Sequence, residues 1–238
     1  MEIVEREFGR GTLSLETGRL ARQANGSVLV RYGDTMVLVA ATAAPGSGMG
    51  AEFFPLSVFY VEKAYAAGRI PGGFFKREAR LSDSETLISR IIDRPLRPSF
   101  QENYLAETLI VATVLSHDLE FPSDVAAMIG ASAALSISDI PLLQPIGGVR
   151  VGMIDGEFIT NPDPDELSRS QMNIFMAGSR DAILMVEGEA NEVSESVMLD
   201  ALWYGQEQIQ PIIDMQEELM KCCGKAKREL EADRKSVV

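Results

Sequence analysis

Between Val125 and Ser138 the chain reads VAAMIGASAALSIS. Val125–Ile137 is the longest apolar-rich stretch, yet it is too short to span a bilayer and is interrupted by Gly130, Ser132 and Ser136. Its alanines instead predict a helix that packs closely on a sheet, opened by Pro122-Ser123-Asp124. The flanking sequence supplies the strands. Residues 1–20 read as short strands punctuated by Gly9, Gly11 and Gly18. Ser27–Tyr32 and Thr35–Thr42 are apolar β-branched runs over a Gly33-Asp34 turn. Phe53–Val61 is a further strand, and Pro55 places it at a sheet edge or marks a strand start.

Ser82-Asp83-Ser84-Glu85 fits a capping box, with Ser82 as N-cap and Glu85 at N3. The helix it opens carries Leu87, Ile88, Ile91 and Ile92 on one face, and Pro95 predicts its end near Asp93 or Arg94. Thr108–Ser116 reads as a buried strand. Hairpins follow at 148–159, over Asp155-Gly156, and at 173–186, over Gly178-Ser179-Arg180. A helix over 194–210 comes next, with a kink or restart expected at Pro211 and a break at Gly224. This order of elements predicts an α+β fold with a mixed or antiparallel sheet.

The 238 residues carry a net charge of −13, which argues against sequence-independent coating of DNA but leaves room for a narrow single-strand groove. Cys222 and Cys223 are adjacent and His117 is the only histidine, so neither a zinc site nor a Cys–His or Ser–His pair is expected. The N-terminus, MEIVEREFGR, lacks the apolar core of a signal peptide, and a cytoplasmic location is the expectation.

Against this acidic background stands one basic island. Lys63 to Arg97 contains eight Lys/Arg against four Asp/Glu, a local net of +4. Within it, Pro71-Gly72-Gly73 opens a loop with Phe74, Phe75, Lys76 and Arg77, followed by Arg80. Exposed rings beside cations are what single-stranded nucleic acid requires, bases on the rings and phosphates on the cations. The same rings could equally belong to the core, with the cations as a solvated rim. Arg90, Arg94 and Arg97 fit a phosphate clamp, or salt bridges to Asp93 and Glu85. Pro122-Ser123-Asp124 could hold an anion at a helix start, or simply cap it; Asp124 opposes the anion. Asp163, Asp165 and Glu166 offer carboxylates for magnesium, or a turn leading into a helix cap. Gly130-Ala131-Ser132-Ala133-Ala134 is similar to the Gly-Ser-Ser-Ala turn of small-molecule kinases, but lacks the glycine-rich turn before it and sits in a helical pattern.

LETGRLARQA, EFFPLSVFYVEKAYAAGRIPGGFFKREAR, ETLISRIIDRPLRPSF, AAMIGASAALSISDIPLLQPIGGVRVG and FMAGSRDAILMVEGEA together resemble the N-terminal part of bacterial polynucleotide phosphorylases, the phosphate-dependent 3′→5′ exoribonucleases. The resemblance covers residues 1–212. It implies an α+β RNase PH-like first core over 1–212 and the start of an all-helical segment over 213–238. It implies a nucleotidyltransferase of mRNA degradation and RNA processing that uses inorganic phosphate and magnesium and assembles as a homotrimeric ring with a central channel. Single-stranded RNA and proteins of an RNA-degradation complex are the implied partners, with no membrane or DNA. Phe74, Phe75, Lys76, Arg77 and Arg80 would line the RNA channel; Lys76 stands where the family has arginine, keeping charge but losing the planar fork. Arg94 and Arg97 would contact substrate or phosphate. The family's catalytic groups lie in its second core. At the corresponding places here, Pro122-Ser123-Asp124 replaces a serine-rich turn, and an amide and a leucine within Asn161–Leu167 replace the aspartates. No catalytic residue and no metal ligand is expected in this chain.

Overall fold

A computed structural model describes residues 1–46, 53–72 and 80–230. Strands β1 (Glu2–Phe8), β2 (Gly11–Thr17), β3 (Gly26–Tyr32), β4 (Thr35–Ala43), β5 (Leu56–Glu62) and β6 (Thr108–Ser116) form one sheet in the order β1-β2-β3-β4-β6-β5. Only β5 and β6 run parallel. Helix α1 (Asp83–Leu96) lies on their crossover and packs on β5. A second, wholly antiparallel sheet has the order β10 (Ile183–Ala190), β9 (Met172–Gly178), β7 (Gly147–Ile154), β8 (Glu157–Thr160). The α+β expectation holds, and Pro55 does precede an edge strand.

A short α3 (Pro164–Arg169) follows β8, and helix α2 (Ser123–Ile137) is buried along its whole length. It packs on β3, β4 and β6 of the first sheet, on β7 of the second, and on the long α4 (Glu195–Cys223). Small residues bring these surfaces together. A Cβ at Gly26 would lie 2.0 Å from the Ala134 carbonyl oxygen, and one at Gly130 would lie 2.6 Å from Val39 Cγ2. Along β4 and β6 burial alternates residue by residue, as strands packed mainly on one face require.

α1 runs past the end expected at Asp93 or Arg94, and α4 does not restart at Pro211. α1 continues through Pro95 to Leu96, and the Arg97 N–H donates to the Asp93 carbonyl. Pro95 sits in the last turn, where it costs one backbone bond, and it is buried beside Ile92 and Leu96. α4 likewise runs unbroken through Pro211. An interior proline costs about 3 kcal/mol. Ile209, Ile212, Ile213, Met215 and Leu219 are all buried around it, and each contributes roughly 1.5–3 kcal/mol, so packing wins. α4 ends at Cys223 with Gly224 as its cap. The following segment is stitched to the end of α2: Lys227 Nζ donates to the carbonyls of Leu135, Ser136 and Ser138 at 2.8–2.9 Å.

Candidate nucleic-acid interface

The basic island occupies the crossover from β5 to α1. Glu85, buried in the first turn of α1, closes its neck: one carboxylate oxygen accepts the Glu62 N–H at 2.8 Å and the other the Ser82 N–H at 2.7 Å. Ser82 Oγ accepts the Glu85 N–H in return, completing the expected capping box. Both ends of the connection are thus held by one side chain. Glu85→Ala leaves two amides without their acceptor and is expected to cost about 2 kcal/mol, read as a lowered denaturation midpoint.

Beyond the neck the chain makes one 3₁₀ turn, Ala64–Ala67, closed by Gly68 at φ +66°. The Ala66 carbonyl accepts the His117 N–H at 3.2 Å, which ties this turn to the end of β6. Tyr65 and Ile70 are exposed, Ile70 by 93%, and Arg69 and Arg80 are exposed too. Phe74, Phe75, Lys76 and Arg77 lie outside the described residues.

Arg90 and Arg94 are one turn apart and exposed on α1. Arg94 pairs with Glu187 of β10, while Arg90 has no ion pair among the described residues. Arg97 is more deeply engaged. It donates to Asp93 at 2.7 Å and to the carbonyls of Phe54 and Leu56 at 2.9 and 3.1 Å, with its guanidinium over the Phe54 ring. It braces the start of β5 against α1, and the three arginines do not converge on one point.

Below the crossover lies a cleft of about 270 Å³ lined by Ile88, His117, Phe121, Ser123, Asp124 and Arg150. At the start of α2 the N-cap position is Pro122, which makes no side-chain cap. The cap role expected of this tripeptide falls to Asp124, whose carboxylate accepts the Val125 N–H at 2.8 Å and pairs with Arg150. Arg150 also donates to Asn173 and lies over the Phe175 ring. Ser123 and Tyr60 share a hydrogen bond of 2.8 Å, and burial pushes the Tyr60 phenol far above its ordinary value.

A divalent cation does not fit the Asn161–Leu167 segment. Asn161 is buried, and its amide oxygen accepts the Arg150 N–H at 2.9 Å. Asp163 and Glu166 form a capping box and both receive Arg10 Nη1 at 2.8 Å. Leu167 offers no donor atom. Hydrogen bonds from the Glu166 amide and from Arg10 hold the Asp163 carboxyl below its usual range. The fitted role is the turn and cap. Arg10 and Arg150, which organise this centre, stand out in the sequence only as charges beside turns and strands.

Sequence comparison gives the family. The profile of the 3′ exoribonuclease family, domain 1, matches residues 11–141, and that of domain 2 matches residues 144–208. The polyribonucleotide nucleotidyltransferase of Geotalea uraniireducens is 56% identical over 227 residues, covering 95% of this chain and 33% of that protein. That of Brucella anthropi is 52% identical over 230 residues, covering 97% and 32%. The chain therefore spans about a third of the length of these relatives. Rice Rrp46 shares the fold, with a TM-score of 0.69 at 20% identity over 87% of this chain and 94% of that one. With the fold, both domain profiles and the sequence blocks in agreement, the chain belongs to the 3′ exoribonuclease family, and it is homologous to part of the polyribonucleotide nucleotidyltransferases.

Proposed function

We propose that the chain is the first core of a phosphorolytic 3′→5′ exoribonuclease acting in mRNA degradation, and that it threads RNA and builds the ring without performing the chemistry. The observation that carries this is the contrast between two places in the fold. The crossover presents cations and exposed apolar side chains on a stapled neck, whereas the cleft beneath it has Asp124 and Arg150 neutralising each other. In this reading residues 1–212 are the core and 213–238 lead into a helical segment, with α4 shared between them. Phe74, Phe75, Lys76, Arg77 and Arg80 grip single-stranded RNA, with Arg94 and Arg97 as further contacts along the channel. Arg94 is the better placed, since its exposed partner Glu187 can yield to a phosphate. Inorganic phosphate and magnesium act on groups supplied outside these residues. The working form is a homotrimer in the cytoplasm, open to partners of an RNA-degradation complex. The internal pairing of the cleft also favours a second reading, a catalytically inert RNA-binding and assembly module.

Two measurements test this. The 238-residue chain, given poly(A), phosphate and magnesium, is expected to release no nucleoside diphosphate; release would place the chemistry in this core. The double variant Phe74→Ala/Phe75→Ala is expected to bind poly(A) at least about tenfold more weakly, because each stacked base contributes roughly 1–3 kcal/mol. Unchanged affinity would remove the loop from the interface.

A further inference from the structure

From Asp181 to Met220 the sequence contains no Lys, Arg or His and ten Asp/Glu. This segment builds β10 and most of α4. Glu187, Asp214, Glu217 and Glu218 find arginines. Glu189, Glu192, Glu195, Asp200 and Glu207 are exposed and make no ion pair among the described residues.

In the middle of this acidic surface lie large apolar side chains. Leu199 and Trp203 are one turn apart on the outer side of α4, and they are 58% and 68% exposed. Asp200 and Glu207 flank Trp203 at helical spacings of three and four. Val186, 42% exposed, pairs in register with Met176, whose sulfur lies under Gly205 of α4. Directly paired residues share a sheet face, so Val186 sits on the same side of the sheet as α4. An apolar centre with a rim of one sign is an interface pattern, with the rim selecting the partner's charge.

The geometry points to this β10–α4 face as a docking surface for a cationic amphipathic helix of another protein, apolar side on Leu199 and Trp203 and lysines or arginines over the acidic rim. The excess negative charge repels nucleic acid here. The face also opposes its own copy, which would bring two such rims together.

Trp203 is the only tryptophan in the chain, so its emission reports directly on the surface. The probe is a tryptophan-free Lys/Leu amphipathic helix of about 18 residues, roughly five turns, titrated into the full chain. A saturable blue shift of Trp203 emission that weakens with added salt is expected. Asp200→Lys/Glu207→Lys is expected to weaken binding about tenfold or more, whereas Glu102→Lys/Glu107→Lys, at exposed acids elsewhere, leaves it unchanged. The proposal is overturned if both double variants bind alike, or if a Glu/Leu peptide binds as well. It is also overturned if poly(A) produces the shift, or if protein concentration alone does so through self-association.

Discussion

Gly26→Ala is expected to lower the unfolding free energy by about 3 kcal/mol or more, at the upper end of overpacking effects. The new methyl would stand 2.0 Å from the Ala134 carbonyl oxygen and 2.9 Å from Ser138 Cβ. The obstacle is helix backbone, so no rotamer change relieves it. Either β3 leaves β4 and β2, or the C-terminal half of α2 lifts from the sheet. α2 touches both sheets and α4, so the second route loosens contacts throughout the core. Gly72→Ala provides the comparison: among the described residues its Cβ meets nothing nearer than 3.9 Å, and the cost should lie within about 0.5 kcal/mol of zero. Urea unfolding of the two variants beside the parent measures both values, and near-equal midpoints would show that the α2–β3 seam has slack.

The second large effect is expected at Arg150. Its side chain is 18% exposed and that of its partner Asp124 is 11% exposed. Arg150→Met leaves a carboxylate near the start of α2 with only the Val125 amide as compensation, and breaking a pair in such surroundings costs about 3–5 kcal/mol. Adding Asp124→Leu removes the stranded charge, so the double variant should regain most of that loss. A thermodynamic cycle over parent, both single variants and the double variant measures this. If the single and double losses are equal, the guanidinium acts through packing on Phe175 and not through its charge. The cycle also bears on RNA handling: poly(A) affinity should stay unchanged in a folded Asp124→Leu/Arg150→Met variant, because the proposed grip lies on the crossover.

Much of the fold was legible because local signals and tertiary packing agree. Asp155 and Gly156 adopt positive φ at 52° and 84°, as a two-residue turn between β7 and β8 demands. Ser82 and Glu85 form the expected reciprocal cap. The stop expected at Pro95 and the restart expected at Pro211 do not occur, for one reason: a missing amide is a local cost, and the burial that outweighs it comes from residues distant in sequence. The candidate site was legible as composition, through the Phe-Phe-Lys-Arg run and its neighbours, but not as partnership. Arg97 reads either as a phosphate contact or as a partner of Asp93, and beside the Asp93 pair it bonds two carbonyls at the start of β5 that no local pattern announces; Arg10, unremarked in the sequence, gathers Asp163, Glu166 and two backbone carbonyls. Ion pairs spanning more than a hundred residues leave no periodic trace.

The Glu85 staple has a consequence for how the chain would survive cutting. A protease acting anywhere between Lys63 and Leu81 would sever the backbone, yet leave Glu62 and Ser82 bound to the same carboxylate. The piece ending in β5 would still be paired with β6, and β4 would still join the two fragments from the other side of β6. A nicked molecule should therefore migrate as one particle under native conditions and as two bands in detergent. Whatever the crossover grips can be lost to proteolysis while the scaffold that carries it remains intact.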